Sequence, residues 1–89
     1  MAGSKENTLC IRYHKEGFPG ENKVFAGFAE DGVTPLEAEY YDDVWFYRNF
    51  FAAAPVAREL IDRGYISTVM KCNRIVVGKG KRDRFWLTK

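Results

Sequence analysis

Two cysteines and the single histidine are the side chains with the clearest catalytic potential in this 89-residue sequence. A nucleophilic thiol needs a base within hydrogen-bond reach. Cys10 and His14 share a face of a predicted strand, but four strand residues span about 13 Å, so they cannot touch. Cys72 can approach His14 only through a sheet pairing that the sequence does not specify. A Cys10–Cys72 disulfide is one alternative. Reduced, buried thiols are favoured, and we predict that the protein is not an enzyme.

Metal and carboxylate chemistry lack the residue sets that they require. Zinc sites combine Cys, His and carboxylate ligands at short spacing, whereas this chain has one histidine, no Cys-x-x-Cys and no His-x-x-x-His. Acidic side chains cluster in segment 30–43, where a single helix would present them as a solvated face or a partner-binding surface. Catalytic carboxylates need a cleft that pushes their pKa values apart. We therefore expect no metal and no cofactor.

Residues 71–89 give the strongest compositional signal. They hold seven basic side chains and one acidic one, a charge of +6, whereas residues 1–70 sum to −4. Gly78-Lys79-Gly80-Lys81 lacks the spacing and the hydroxyl of a P-loop and precedes a predicted strand, so it indicates a hairpin loop. Alternating basic and apolar residues suit phosphate neutralisation and base stacking. The candidate nucleic-acid-binding residues, for DNA or RNA, are Arg74, Lys79, Lys81, Arg82, Arg84 and Trp86. Alternatively, the lysines only protect a solvated sheet edge.

Hydrophobic periodicity places these residues on a small α+β domain. Strands are predicted over residues 8–14, 23–29, 65–70, 74–77 and 84–88, and helices over 34–51 and 55–63. Thr34-Pro35-Leu36-Glu37 matches a capping box with proline at the first helical position. The order β-β-α-α-β-β-β predicts an antiparallel sheet with the helices packed on one face.

Three punctuating residues refine this prediction. Gly27 indicates a bulge or a close packing contact within the second strand. Pro55 either starts the second helix or kinks the first, and Gly64 ends the helical region. Residues 1–89 are expected to form one compact domain with a flexible N-terminus at 1–7. Without an apolar run or a secretion signal, a cytoplasmic location away from membranes is expected.

The C-terminal third resembles the end of a winged-helix domain. The matching residues are Arg58-Glu59-Leu60-Ile61-Asp62-Arg63-Gly64-Tyr65-Ile66, followed by the basic hairpin that closes on Phe85-Trp86-Leu87-Thr88. In that family the hairpin, or wing, touches the DNA backbone, so the resemblance implies phosphate contacts here. Winged helices have three helices before the wing, whereas this chain opens with a predicted β-hairpin. The resemblance therefore names no family for the whole chain.

A protein-binding regulator or inhibitor is the alternative function. Small phage-encoded proteins that block host defence, including anti-CRISPR proteins, resemble this chain in size and in their lack of known motifs. The predicted helix over 34–51 carries more aromatic residues than one face can bury, and such a surplus is typical of a partner or homodimer interface. The candidate protein-binding residues are Glu37, Glu39, Tyr41, Asp42, Asp43, Trp45 and Phe46.

Overall fold

The computed structural model describes residues 8–89, in which one helix and five strands form. The strands are β1 (Leu9–Lys15), β2 (Lys23–Phe28), β3 (Pro35–Glu37), β4 (Tyr65–Ile75) and β5 (Arg84–Thr88); the helix is α1 (Phe50–Asp62), and a 3-10 turn spans Tyr41–Asp43. The predicted flexible N-terminus at 1–7 lies outside the described residues. No helix within the described part of the chain is long and apolar enough to cross a membrane.

All five strands join one antiparallel sheet in the order β3-β2-β1-β4-β5. The predicted hairpin of the first two strands is confirmed, with Arg12 opposite Val24. β1 pairs with β4 from Tyr65 to Lys71, and β5 pairs with β4 from Lys71 to Ile75. The α+β class with an antiparallel sheet is therefore confirmed, whereas the element order is β-β-β-α-β-β with a single helix.

The helix predicted over residues 34–51 is wrong because Thr34, the predicted capping residue, is hydrogen-bonded to Asp31 in a turn. Its carboxylate accepts hydrogen bonds from the backbone N–H groups of Thr34 and Val33 at 2.9 and 2.8 Å and from the Thr34 hydroxyl at 2.7 Å. These bonds lower the pKa of Asp31 to about 2. The turn leads Pro35 into the edge strand β3, where proline is tolerated.

α1 replaces the two predicted helices. It begins after Asn49, whose side chain accepts the Ala52 N–H at 2.9 Å as an N-cap. Pro55 lies inside this helix and neither starts a second one nor ends the first. The strands predicted over 65–70 and 74–77 are likewise one continuous strand, β4, because β1 and β5 together provide partners along its whole length.

Each face of the sheet buries its own hydrophobic cluster. On the helix face, α1 packs through its buried residues against Ile11, Tyr13 and Phe25 of the sheet; the helix residues are Ala53, Ala57 and Leu60. On the opposite face, which we call the loop face, residues 38–46 lie across Cys10, Val24, Met70 and Cys72. The predicted single layer of helices on one face is thus half of the observed arrangement, because an irregular segment covers the other face.

Two glycines behave as the sequence predicts. Gly27 has φ +94°, the β2–β3 register shifts beside it, and an added Cβ would lie 2.6 Å from Cζ2 of Trp45. This position requires both a left-handed backbone and the absence of a side chain. Gly64, with φ +96°, follows the end of α1 and donates its N–H to the carbonyl of Ile61. It turns the chain directly into β4.

Candidate nucleic-acid interface

Asp83 organises the loop between β4 and β5. Its carboxylate accepts hydrogen bonds from the Arg74 guanidinium and from the Val77 N–H, and its carbonyl accepts the Tyr41 N–H at 2.9 Å. The hydrogen bond from Arg74 lowers the pKa of Asp83. The only acid of the C-terminal tail therefore fixes the shape of the basic hairpin and ties it to the segment on the loop face.

A second ion pair joins the acidic and the basic parts of the chain. Arg82 donates to Asp43 at 2.8 Å, and this hydrogen bond lowers the pKa of Asp43. The ring of Tyr40 lies beneath two guanidinium groups, with Arg82 Cζ 4.4 Å and Arg84 Cζ 5.5 Å from the ring centre. Both distances fall within the range of cation–π attraction.

These residues form an open cleft at the loop end of the β4–β5 hairpin. Its volume is about 350 Å³, and Tyr40, Val77, Lys81, Arg82 and Arg84 line it. Three cations and one aromatic ring therefore converge on a space that can accept an anionic group. Guanidinium groups bind phosphate through paired, charge-assisted hydrogen bonds, and lysine contributes a point charge.

Trp86 extends this surface along β5. It lies opposite Asn73 of β4 and two residues from Arg84, so Arg84 and Trp86 share the helix face while Phe85 and Leu87 pack into the loop-face cluster. The Trp86 side chain is 52% exposed. The alternation that the sequence predicts for this hairpin is confirmed.

All six predicted binding residues lie on the β4–β5 hairpin or its loop, but Arg74 faces away from Trp86. Arg74 lies opposite Phe85 on the loop face, where it pairs with Asp83 and stacks over Tyr41 with Cζ 5.5 Å from the ring centre. It is therefore turned away from Trp86. Lys79 and Lys81 are exposed in the loop, and neither forms an ion pair within residues 8–89.

The residues of the alternative protein-binding surface differ in their surroundings. Tyr41 and Phe46 pack against each other at 5.0 Å beside the loop-face cluster, and the Trp45 ring packs edge-on against Phe25 at 5.8 Å. Asp43 is paired with Arg82. The acids that remain exposed are Glu37, Glu39 and Asp42. The aromatic surplus that motivates this surface is only partly used in packing, because Trp45, Phe50 and Phe51 are 53%, 58% and 84% exposed.

The residues with catalytic potential lie apart. His14 contacts Asn22 through a 3.2 Å hydrogen bond near the end of β1 opposite to Cys10. Cys10 and Cys72 are free thiols buried together, and the hydrogen bond between them, with burial, raises the pKa of Cys10. Cys10 is thus a neutral thiol at physiological pH. Among residues 8–89, no group of three or more His, Cys, Asp and Glu side chains is placed to hold a metal ion.

Sequence reasoning misses two members of the interface. Tyr40 reaches the cleft from a segment more than 30 residues away in the chain, and no local pattern signals that contact. Lys71 pairs with Thr88 and shares the helix face with Trp86. Its period-two relation to Asn73 and Ile75 would identify it once β4 is recognised as one strand.

Comparison with known proteins identifies no relative from which a function could be inferred. The chain matches no protein-family profile, no curated protein and no solved structure at a significant level.

Proposed function

We propose that this protein is a non-enzymatic module that binds nucleic acid through the C-terminal hairpin. The observation that carries the proposal is the convergence of Lys81, Arg82 and Arg84 on the Tyr40 cleft, with an exposed Trp86 two residues from Arg84 on β5. Phosphate groups of the backbone bind the cations, and an unpaired base stacks on the indole ring. Single-stranded DNA or RNA is therefore the expected ligand, because duplex bases offer no free face for stacking.

Ion pairing leaves enough positive charge for this role. Asp83 and Asp43 neutralise Arg74 and Arg82 in part. The remaining cations of the tail form no ion pair within the described residues; they are Lys71, Lys79, Lys81, Arg84 and Lys89. If about four of them contact phosphates, the logarithm of the binding constant should fall with the logarithm of salt concentration with a slope of about −3 for a single strand.

Fluorescence anisotropy with labelled single-stranded and duplex oligonucleotides of DNA and RNA tests the proposal. The wild type should bind single strands more tightly than duplexes and should lose affinity with salt at that slope. A triple charge reversal, Lys79→Glu, Lys81→Glu and Arg84→Glu, should abolish binding because it reverses the field of the cleft.

A matched charge reversal separates a local site from general attraction. Lys15→Glu, Lys23→Glu and Arg48→Glu change the net charge by the same amount at residues outside the hairpin, and none of the three is in an ion pair within residues 8–89. This control should retain most of the binding. Equal loss in both triple variants, or wild-type binding in the hairpin variant, would contradict the proposal.

A further inference from the structure

β4 leaves one side of its first half without a partner strand. β1 lines the other side from Tyr65 to Lys71, whereas β5 begins only at Lys71. Residues 65–70 therefore form an open edge of the sheet, limited at one end by β5. Among the described residues, no other strand pairs with this edge.

The backbone bonds show which groups this edge presents. The Cys72 N–H donates to the carbonyl of Thr8, and the Gly64 carbonyl accepts the Glu16 N–H. The backbone N–H and C=O groups of the even-numbered residues of β4 therefore point towards β1. Because these directions alternate along an antiparallel strand, Tyr65, Ser67 and Val69 direct their N–H and C=O groups to the open side. Three residues thus offer three donors and three acceptors in a symmetrical set centred on Ser67.

The open edge lacks the usual protection against pairing. Natural sheets shield their edges with lysine, proline, bulges or covering loops. The segment Tyr65-Ile66-Ser67-Thr68-Val69-Met70 contains no charge, no proline and no glycine, and its Ile66 side chain is 43% exposed. A neutral edge can approach an identical edge without electrostatic repulsion.

An apolar groove runs beside this edge on the helix face. Its volume is about 400 Å³, and its walls include the apolar residues Phe50, Ala54, Ile61 and Val69. The exposed side chain of Arg58 also lines it, next to Ser67 and Thr68 of the open edge. Phe50 and Ile61 are 58% and 49% exposed. The helix contributes bulky residues at the two ends of the groove and small alanines, Ala54 and Ala57, in between. Such a surface gains free energy when it is covered.

We propose that the open edge of β4 pairs with the same edge of a second copy of this chain. A two-fold axis through Ser67 places Ser67 opposite its own counterpart and Tyr65 opposite Val69 of the other copy. Each hydrogen-bonded pair exchanges two bonds, so the three outward residues of both chains are all satisfied. The two sheets become one continuous sheet of ten strands, and the contact is isologous, as closed dimers require.

The same axis brings the two helices together. The Ser67 hydroxyl donates to the Ala57 carbonyl at 2.8 Å, so the middle of α1 lies over the middle of the open edge. A two-fold axis there sets the helices antiparallel, with Phe50 of one copy within about one helical turn of Ile61 of the other. Bulky ends then meet bulky ends, and the alanines allow the helices to approach.

Sedimentation velocity from about 1 to about 500 µM tests the dimer. The wild type should shift to twice the monomer mass as its concentration rises. Ser67→Pro removes the outward N–H as well as the hydroxyl bond to Ala57, and it should raise the dimer dissociation constant at least about tenfold. Ser67→Ala, which loses the bond to Ala57 but keeps the N–H, is the matched control and should still dimerise.

A charge pair across the helices tests the arrangement without altering the sheet. Phe50→Glu and Ile61→Lys each place a charge in the apolar seam and should raise the dissociation constant at least about tenfold. The double variant should recover dimerisation, because each introduced acid meets an introduced base on the other copy. Circular dichroism confirms the fold of each variant. A wild type that remains monomeric to about 500 µM, or a dimer that is unaffected by both Ser67→Pro and Phe50→Glu, would overturn the proposal.

Discussion

The two halves of β4 differ in what they offer to a partner. From Lys71 to Ile75, β5 completes the backbone hydrogen bonds, so the groups left exposed there are side chains such as those of Trp86 and Arg84. From Tyr65 to Met70, β1 pairs with one side of β4, and the other side has no partner strand among the described residues. The groove beside that open side is lined by apolar residues together with Arg58. One strand of 11 residues thus borders a charged hairpin surface at one end and an open edge without charged side chains at the other.

The largest expected effect is a loss of stability when residues 38–46, which contact the charged hairpin, lose their anchor on the sheet. Trp45 packs on Gly27 and anchors residues 38–46, which bring Tyr40 and Asp43 to the hairpin. Gly27→Ala adds a Cβ that overlaps the indole and strains a positive φ, so it should lower the free energy of unfolding by about 3 kcal/mol. Chemical denaturation measures this loss.

Gly20→Ala is the matched control for that substitution. Gly20 has no positive φ, and an added Cβ would meet no atom within 4 Å. Its midpoint of denaturation should stay close to that of the wild type. If the two alanine variants are equally stable, Trp45 does not pack on Gly27 as described.

Removing the indole of Trp86 should affect nucleic-acid binding but not dimerisation. Trp86→Ala should weaken single-strand binding about tenfold, because one stacked base is lost, and should leave dimerisation unchanged. Anisotropy and sedimentation velocity measure the two effects. Phe51→Ala removes another exposed aromatic side chain, 84% exposed on α1, and should leave binding unchanged. Equal weakening by both variants would argue against stacking on Trp86.

Releasing Arg82 from its ion pair should raise the affinity for single strands by a smaller factor. Asp43→Asn removes the carboxylate that holds Arg82 and should raise single-strand affinity about threefold, with a steeper salt slope by up to about 0.7. Asp42→Asn makes the same change in net charge at a neighbouring exposed acid that forms no ion pair within residues 8–89. The Asp42 variant should bind less tightly than the Asp43 variant. The reverse order would contradict the assigned pairing.

Acid should produce the smallest effect, and it should act on the charged half. Ion pairing lowers the pKa values of Asp43 and Asp83, so their contribution to stability is present above the unfolded-state pKa and is lost as pH falls. Between about pH 5 and about pH 2 the wild-type Tm should fall more than that of a variant with both Asp43→Asn and Asp83→Asn. Identical pH profiles for the two proteins would show that these pairs do not stabilise the fold.

Sequence patterns predicted the local features and missed the distant ones. The period of two in β1, the alternation of Phe85 and Trp86, and the role of Gly27 follow from neighbouring residues, and all three are confirmed. The predicted helix over 34–51 was wrong because Asp31, which lies outside the capping pattern, accepts hydrogen bonds from both the N–H and the hydroxyl of Thr34.

The candidate site was predictable only in part for the same reason. Its cations lie close together in sequence, so composition alone indicated a basic hairpin. Tyr40 joins them because residues 38–46 cross the loop face, which no local pattern specifies. The open edge of β4 also depends on where β5 ends, and strand register is a tertiary property.

Sedimentation velocity of the wild type with a labelled single-stranded oligonucleotide, at about 50 mM and about 300 mM salt, tests whether the hairpin and the open edge of β4 act as independent surfaces. The dimer should carry the oligonucleotide at low salt and release it at high salt while remaining a dimer. Binding that is absent at low salt, or dimers that dissociate together with the oligonucleotide as salt rises, would contradict two independent surfaces on β4.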